Sequence, residues 1–94
     1  MIRVESGRMR VAGEIKLADV AQMAAQGSEA LRRGVRVVDF AETTAVDSSA
    51  IALVLEWTRE ARRLGTALQL EHVPEAMKNL AALYGITDFL AIER

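Results

Sequence analysis

A chain of 94 residues, 51% apolar and 27% charged with a formal net charge of -1, fits one globular domain near the small end of the range and leaves no room for a second. It has no cysteine, one histidine (His72) and only Phe40, Trp57, Tyr84 and Phe89 as aromatics, which excludes disulfides, thiolate nucleophiles, cysteine metal sites and a multi-histidine metal centre. Twelve Lys and Arg nearly cancel thirteen Asp and Glu, so neither a basic footprint nor stacking platforms exist for nucleic acid.

No run of 18 or more uncharged apolar residues and no basic start leading into an apolar stretch is present, so neither a membrane span nor a secretory signal is expected. The expected location is the cytoplasm. In chain order, Ile2 and Val4 alternate with charge, Ser6-Gly7 punctuates, and Met9 and Val11 resume the alternation, which predicts a β-hairpin. From Asp19, read as the N-cap, the apolar residues Val20, Met23, Ala24, Ala30 and Leu31 recur at helical spacing until Arg32-Arg33-Gly34; Gly27 and Ser28 weaken the middle. Val35 to Phe40 is short, β-branched and almost unbroken in apolar character, the pattern of a central strand buried on both faces.

Residues 41–45 read as a polar turn. Asp47, Ser48 and Ser49 then offer three N-cap side chains before the strongest helix, which runs from Ala50 to a stop at Gly65. Thr66 to His72 reads as a strand with Leu68 and Leu70 on one side, and Val73-Pro74 opens a helix from Glu75 to Tyr84, stopped by Gly85. The tail from Ile86 to Arg94 is expected to add a short strand or turn. The order ββαβαβα predicts an α/β domain (α+β by a stricter label) over residues 1–94: a mixed, mostly parallel sheet of four to five strands, with the hairpin antiparallel at one edge and helices packed on it.

The Asp47-Ser48-Ser49 corner carries the most functional information. Such residues satisfy orphaned backbone N–H groups in many helices with no further role. The same geometry also sets a hydroxyl beside a positive helix end, where a phosphate or a partner's donors can be read. A hydrolase is disfavoured, because the flanks are Asp47 and Ala50 where a nucleophile elbow needs glycines, and His72 suits a capping or surface role at a strand end. Asp39, Glu42 and Asp47 are close in sequence, but Asp39 follows an apolar strand and fits a turn-fixing role better than paired-carboxylate catalysis. No Gly-rich phosphate loop is present, and no metal or cofactor is expected.

On the helix after Ser49, Ala50, Ile51, Leu53, Val54, Leu55, Trp57, Thr58, Ala61 and Leu64 cover roughly 200°, against the roughly 100° stripe that faces a core. The excess is covered either by a neighbouring helix, such as the one ending at Tyr84, or by a partner protein. The second alternative makes Ala50, Leu53 and Trp57 interface candidates, with Arg59, Arg62 and Arg63 as a rim.

Three stretches resemble a STAS domain, the small fold shared by anti-sigma-factor antagonists and by regulatory parts of several transporters. They are Gly13-Glu14, the run Val37-Val-Asp-Phe-Ala-Glu-Thr-Thr-Ala-Val-Asp-Ser-Ser49, and the following helix with its Gly65 stop. Within that family, Ala50-Ile-Ala-Leu-Val-Leu55 and Leu80-Ala-Ala-Leu-Tyr-Gly-Ile86 are similar to the STAS subunit of ABC transporters that move phospholipids between the two membranes of Gram-negative bacteria. The resemblance implies a non-enzymatic interaction module that binds and regulates or stabilises the transporter ATPase, with Ser48 at the contact and no direct membrane insertion. In the antagonist branch it implies that an anti-sigma-factor kinase phosphorylates Ser48. The antagonist signature has glycine where Ala50 and Ala52 stand, and Ala52 agrees with the transporter branch, whose usual residue at position 48 is Thr.

Overall fold

The structure is a computed structural model, described over residues 1–90. Its elements are β1 (Ile2–Glu5), β2 (Arg8–Val11), β3 (Gly13–Ile15), α1 (Leu17–Arg32), β4 (Val37–Asp39), β5 (Thr43–Val46), α2 (Ser49–Arg63), β6 (Gln69–Glu71), α3 (Glu75–Leu83) and a 3-10 turn at Thr87–Phe89. The part of the expected tail beyond Leu90 lies outside the described residues.

Ser6 (φ 52) and Gly7 (φ 74) both take left-handed conformations, as a two-residue primed turn requires, and they fix the β1–β2 register with Glu5 opposite Arg8. β2, β4 and β6 pair in parallel, giving a sheet of order β1-β2-β4-β6 with the hairpin at one edge. β3 and β5 form a separate parallel pair with Ile15 opposite Val46. The sequence reading missed both. These strands are three and four residues long, and each is specified by a partner some thirty residues away more than by its own alternation. Thr43–Val46 is therefore a strand where a polar turn over residues 41–45 is expected.

Met9, Val38 and Leu70 point from the paired strands into the core, where Met23, Leu31, Leu53, Val54, Trp57 and Met77 from the helices meet them. The opposite face of the same strands carries Arg8, Arg10, Val37, Asp39, Gln69 and Glu71. There the expected double apolar covering of β4 gives way to ion pairs, Arg10 with Asp39 and Arg8 with Glu71.

α1 begins at Leu17, two residues before the expected start. Asp19 lies in its first turn, where a negative charge meets the positive helix end without capping it. Its last turn stops at Gly34, whose φ of 103 excludes a side chain at little strain. α1 and α2 lie side by side and run in the same direction. Leu17 and Val20 flank Ser48 and Ala52 at one end, Ala24 meets Trp57 midway, and Arg32 lies near enough to Glu60 to act on its charge at the other.

The midpoint of this helix pair explains Gly27. A Cβ there would come within 2.6 Å of Trp57 Cζ2 and closer still to Nε1 and Cε2, so the missing side chain is the notch that admits the indole. Trp57 is fully buried, and its Nε1–H donates to the Ala24 carbonyl at 3.3 Å. Overpacking a fitted core costs about 1–3 kcal/mol, so Gly27→Ala should lower stability by about that much. Thermal unfolding followed by circular dichroism should show a melting temperature lower by roughly 4–8 °C per kcal/mol in a domain of this size; an unchanged value would remove the notch as a constraint.

Candidate functional site

β5 delivers the chain to the start of α2, with the Asp47 N–H donating to the Ile15 carbonyl at 3.3 Å. The three polar residues that follow divide the work. Asp47 Oδ1 accepts the Ser49 N–H at 2.8 Å and also the Ser49 hydroxyl, so Asp47 is the cap and Ser49 is buried and engaged. Those Ser49 hydrogen bonds, helped by the Leu17 amide, hold the Asp47 carboxyl below the usual carboxylate range. Ser48 takes helical backbone angles (φ -63, ψ -20) and makes no side-chain cap bond; it is exposed. Its hydroxyl borders a shallow concavity of about 380 Å³ lined by Leu17, Val20, Asp47, Ser49 and Ala52. Leu17 is 77% exposed, the most exposed large apolar side chain of the described residues.

Ala50, Leu53 and Trp57 are each 0% exposed, which corrects the expectation that this edge of the helix is offered to a partner. The broad apolar arc is real: part of it joins the core with the sheet, a neighbouring helix takes the excess, and that helix is α1, the one ending at Tyr84 being a lesser neighbour of α2. The indole closes the inter-helix seam, and even its polar end is consumed internally. Arg59 remains exposed, within 3.6 Å of Glu56. In place of the buried trio the fold brings Leu17, Val20 and Ala52 to Ser48. Sequence reading missed Leu17 because it set the start of α1 at Asp19, leaving the residue in a connector.

A second grouping gathers at the C-terminal ends of β4 and β6. Asp39, Glu71 and His72 present carboxylate and imidazole atoms within 4.8 Å of one another. The donor types suit a divalent cation, but each carboxylate already faces a cation: Glu71 is paired with Arg8, and Arg10 Nη1 lies 3.6 Å from Asp39 Oδ2. Asp39 Oδ1 accepts the Ala41 N–H at 2.9 Å and lies 2.9 Å from His72 Nδ1. The arrangement ties the strand ends to the turn after β4, the turn-fixing role read for Asp39. Glu42 and Asp47 do not join it; Glu42 pairs with Arg3.

The sequence matches the family described as "Mlab, STAS domain" over residues 2–92, and the chain belongs to that family. No curated protein matches it by sequence. Among solved structures it is similar to a chain of the Acinetobacter MlaFEDB complex in an ATP-bound conformation, with TM-score 0.85, 18% identity and 99% of each chain covered. It is also similar to the anti-sigma-factor antagonist SpoIIAA in its unphosphorylated form (TM-score 0.72, 20% identity, 100% of this chain and 87% of that one). The phosphorylated form of the Bacillus cell fate determinant SpoIIAA gives TM-score 0.69 and 21% identity over 100% of this chain and 90% of that one. At these identities the likenesses establish the fold, which both kinds of STAS protein share.

Burial by itself pushes the Asp39 carboxyl up, but the Ala41 amide, His72 and Arg10 outweigh it and hold the group below its ordinary value. The folded chain then binds fewer protons here than the unfolded one. The stabilisation is present above about pH 4 and is lost as pH falls through the lower folded value. Asp39→Asn should be less stable than wild type at neutral pH, with the gap narrowing below about pH 4 in urea titrations; a gap independent of pH would show that the carboxylate charge is not what stabilises the turn.

Proposed function

We propose that this chain is a non-enzymatic STAS subunit that docks on the ATPase of an ABC transporter for phospholipid trafficking and stabilises or regulates it from the cytoplasmic side. The docking corner is Ser48 with Leu17, Val20 and Ala52. One observation carries the reading: at the start of α2 the structural capping is done by Asp47, so the Ser48 hydroxyl is left over beside an apolar concavity. A group with no internal task, next to hydrocarbon exposed to water, suits recognition by another protein. The chain has no Gly-rich phosphate loop, so in this reading ATP belongs to the partner. Support for the transporter branch comes from the nearly end-to-end likeness to the chain of the MlaFEDB complex and from Ala50 and Ala52 at the start of α2.

The exposed Ser48 hydroxyl also supports a second reading, an anti-sigma-factor antagonist switched by phosphate on Ser48. The new dianion would sit beside the acidic Asp47 and change what the corner can accept. Two measurements separate the readings. Ser48→Arg, placed where the side chain has no internal role, should leave the melting temperature nearly unchanged and abolish co-purification with the ATPase; co-purification that survives it, and Leu17→Glu as well, argues against this corner as the docking site. Intact mass of the protein isolated from cells should show no phosphate under any growth condition, whereas a stoichiometric phosphate on Ser48 would favour the switch.

A further inference from the structure

Because the two long helices begin together, they also end together, and the end of the molecule opposite Ser48 gathers their last turns. Arg32 and Arg33 close α1, Arg62 and Arg63 close α2, and Arg36 follows in the loop to β4, where its carbonyl accepts the Gln69 N–H at 2.9 Å. The end of α3 joins them, since the Arg62 guanidinium lies 4.1 Å over the ring of Phe89 in the turn that follows that helix. All five arginines are exposed. Against them stand Glu29, which holds Arg32 and Arg33, Glu60, which holds Arg63, and Asp88. Among the described residues Arg36 and Arg62 pair with no carboxylate.

The same end exposes apolar surface. Leu83 is 76% exposed, Tyr84 53% and Leu64 38%, half of the large apolar side chains that the described residues leave in water. Cations at helix C-termini offset the negative helix end, and that accounts for Arg32, Arg62 and Arg63. It does not account for Arg36, which belongs to no helix, or for a leucine and a tyrosine left exposed at the end of α3. Guanidinium forks match phosphate oxygens, tyrosine suits the headgroup level and leucine reaches the acyl boundary, a combination that fits an anionic lipid surface.

We propose that this arginine-rich end rests on the anionic surface of a phospholipid bilayer as a peripheral contact. No described helix is long and apolar enough to cross a membrane, so the chain lies against the surface without spanning it. The contact is separate from the Ser48 corner and does not depend on the identity of the docking partner.

The test is sedimentation of the full chain with phosphatidylcholine vesicles, with and without about 30% phosphatidylglycerol, at low and high salt. Wild type should sediment with the anionic vesicles alone, and less as salt rises. The double variant Arg33→Glu/Arg36→Glu should reduce the bound fraction about tenfold, Leu83→Ser should reduce it further by severalfold, and Ser48→Arg should leave it unchanged. Circular dichroism on each variant checks that these exposed positions leave folding intact. Failure to sediment at low salt, equal binding to neutral and anionic vesicles, or binding indifferent to both the charge reversals and Leu83→Ser would overturn the proposal. Capture of an acidic protein by these arginines with no vesicle binding would overturn it equally.

Discussion

The close approach of α1 and α2 at Gly27 governs the placement of everything else that matters in this domain. A flat indole seated in a side-chain-free notch brings the helix axes near enough for one continuous core to form beneath them, and it fixes their relative rotation and slide. That slide sets Leu17 level with Ser48 at one end and Arg32 level with Glu60 at the other. The glycine lowers intrinsic helix propensity by about 1 kcal/mol relative to alanine, and the burial of a tryptophan more than offsets this. A local weakness in one helix is thus the condition for its packing against the next.

Helices laid parallel align their macrodipoles unfavourably, and the charge pattern answers this at both ends. Acidic groups, Asp19 and Asp47, stand at the starts, while arginines crowd the finishes. The outcome is a chain of almost zero net charge that is nonetheless polar along its length. One pole presents a hydroxyl beside leucine, valine and alanine, and the other presents guanidinium groups with leucine and tyrosine. Between the poles, the face of the sheet away from the core is laced with pairs such as Arg8 with Glu71 and Arg3 with Glu42, so its charges are largely spent on one another.

The legible parts of the sequence were those specified by neighbours in the chain. Ser6-Gly7 announces the hairpin, and Gly34, Gly65 and Gly85 mark three helix ends, because a left-handed stop or turn demands residues that tolerate it. Asp47, Ser48 and Ser49 were recognisable as a helix start, but which of them caps depends on side-chain geometry that spacing does not encode. β3 and β5 stayed hidden since each makes sense only through the other. The width of the apolar arc of α2 was legible, but its cover was left open between a neighbouring helix and a partner protein, and the helix that takes it is α1: periodicity gives the width of a buried face and is silent about what lies on it. The clue was Gly27, whose presence in mid-helix signalled a close approach that a count of apolar residues cannot register.

The division of labour between Asp47 and Ser48 also bears on how such a domain changes over generations. Since the carboxylate secures the helix, the adjoining hydroxymethyl group is under no folding constraint, and the position is free to drift to threonine, to alanine or to a bulkier side chain without endangering the scaffold. If Ser48 meets a partner as proposed, selection at that residue follows the company the protein keeps, while selection at its neighbour follows integrity. A change of that one side chain alters the surface the corner offers, and the architecture beneath need not register it.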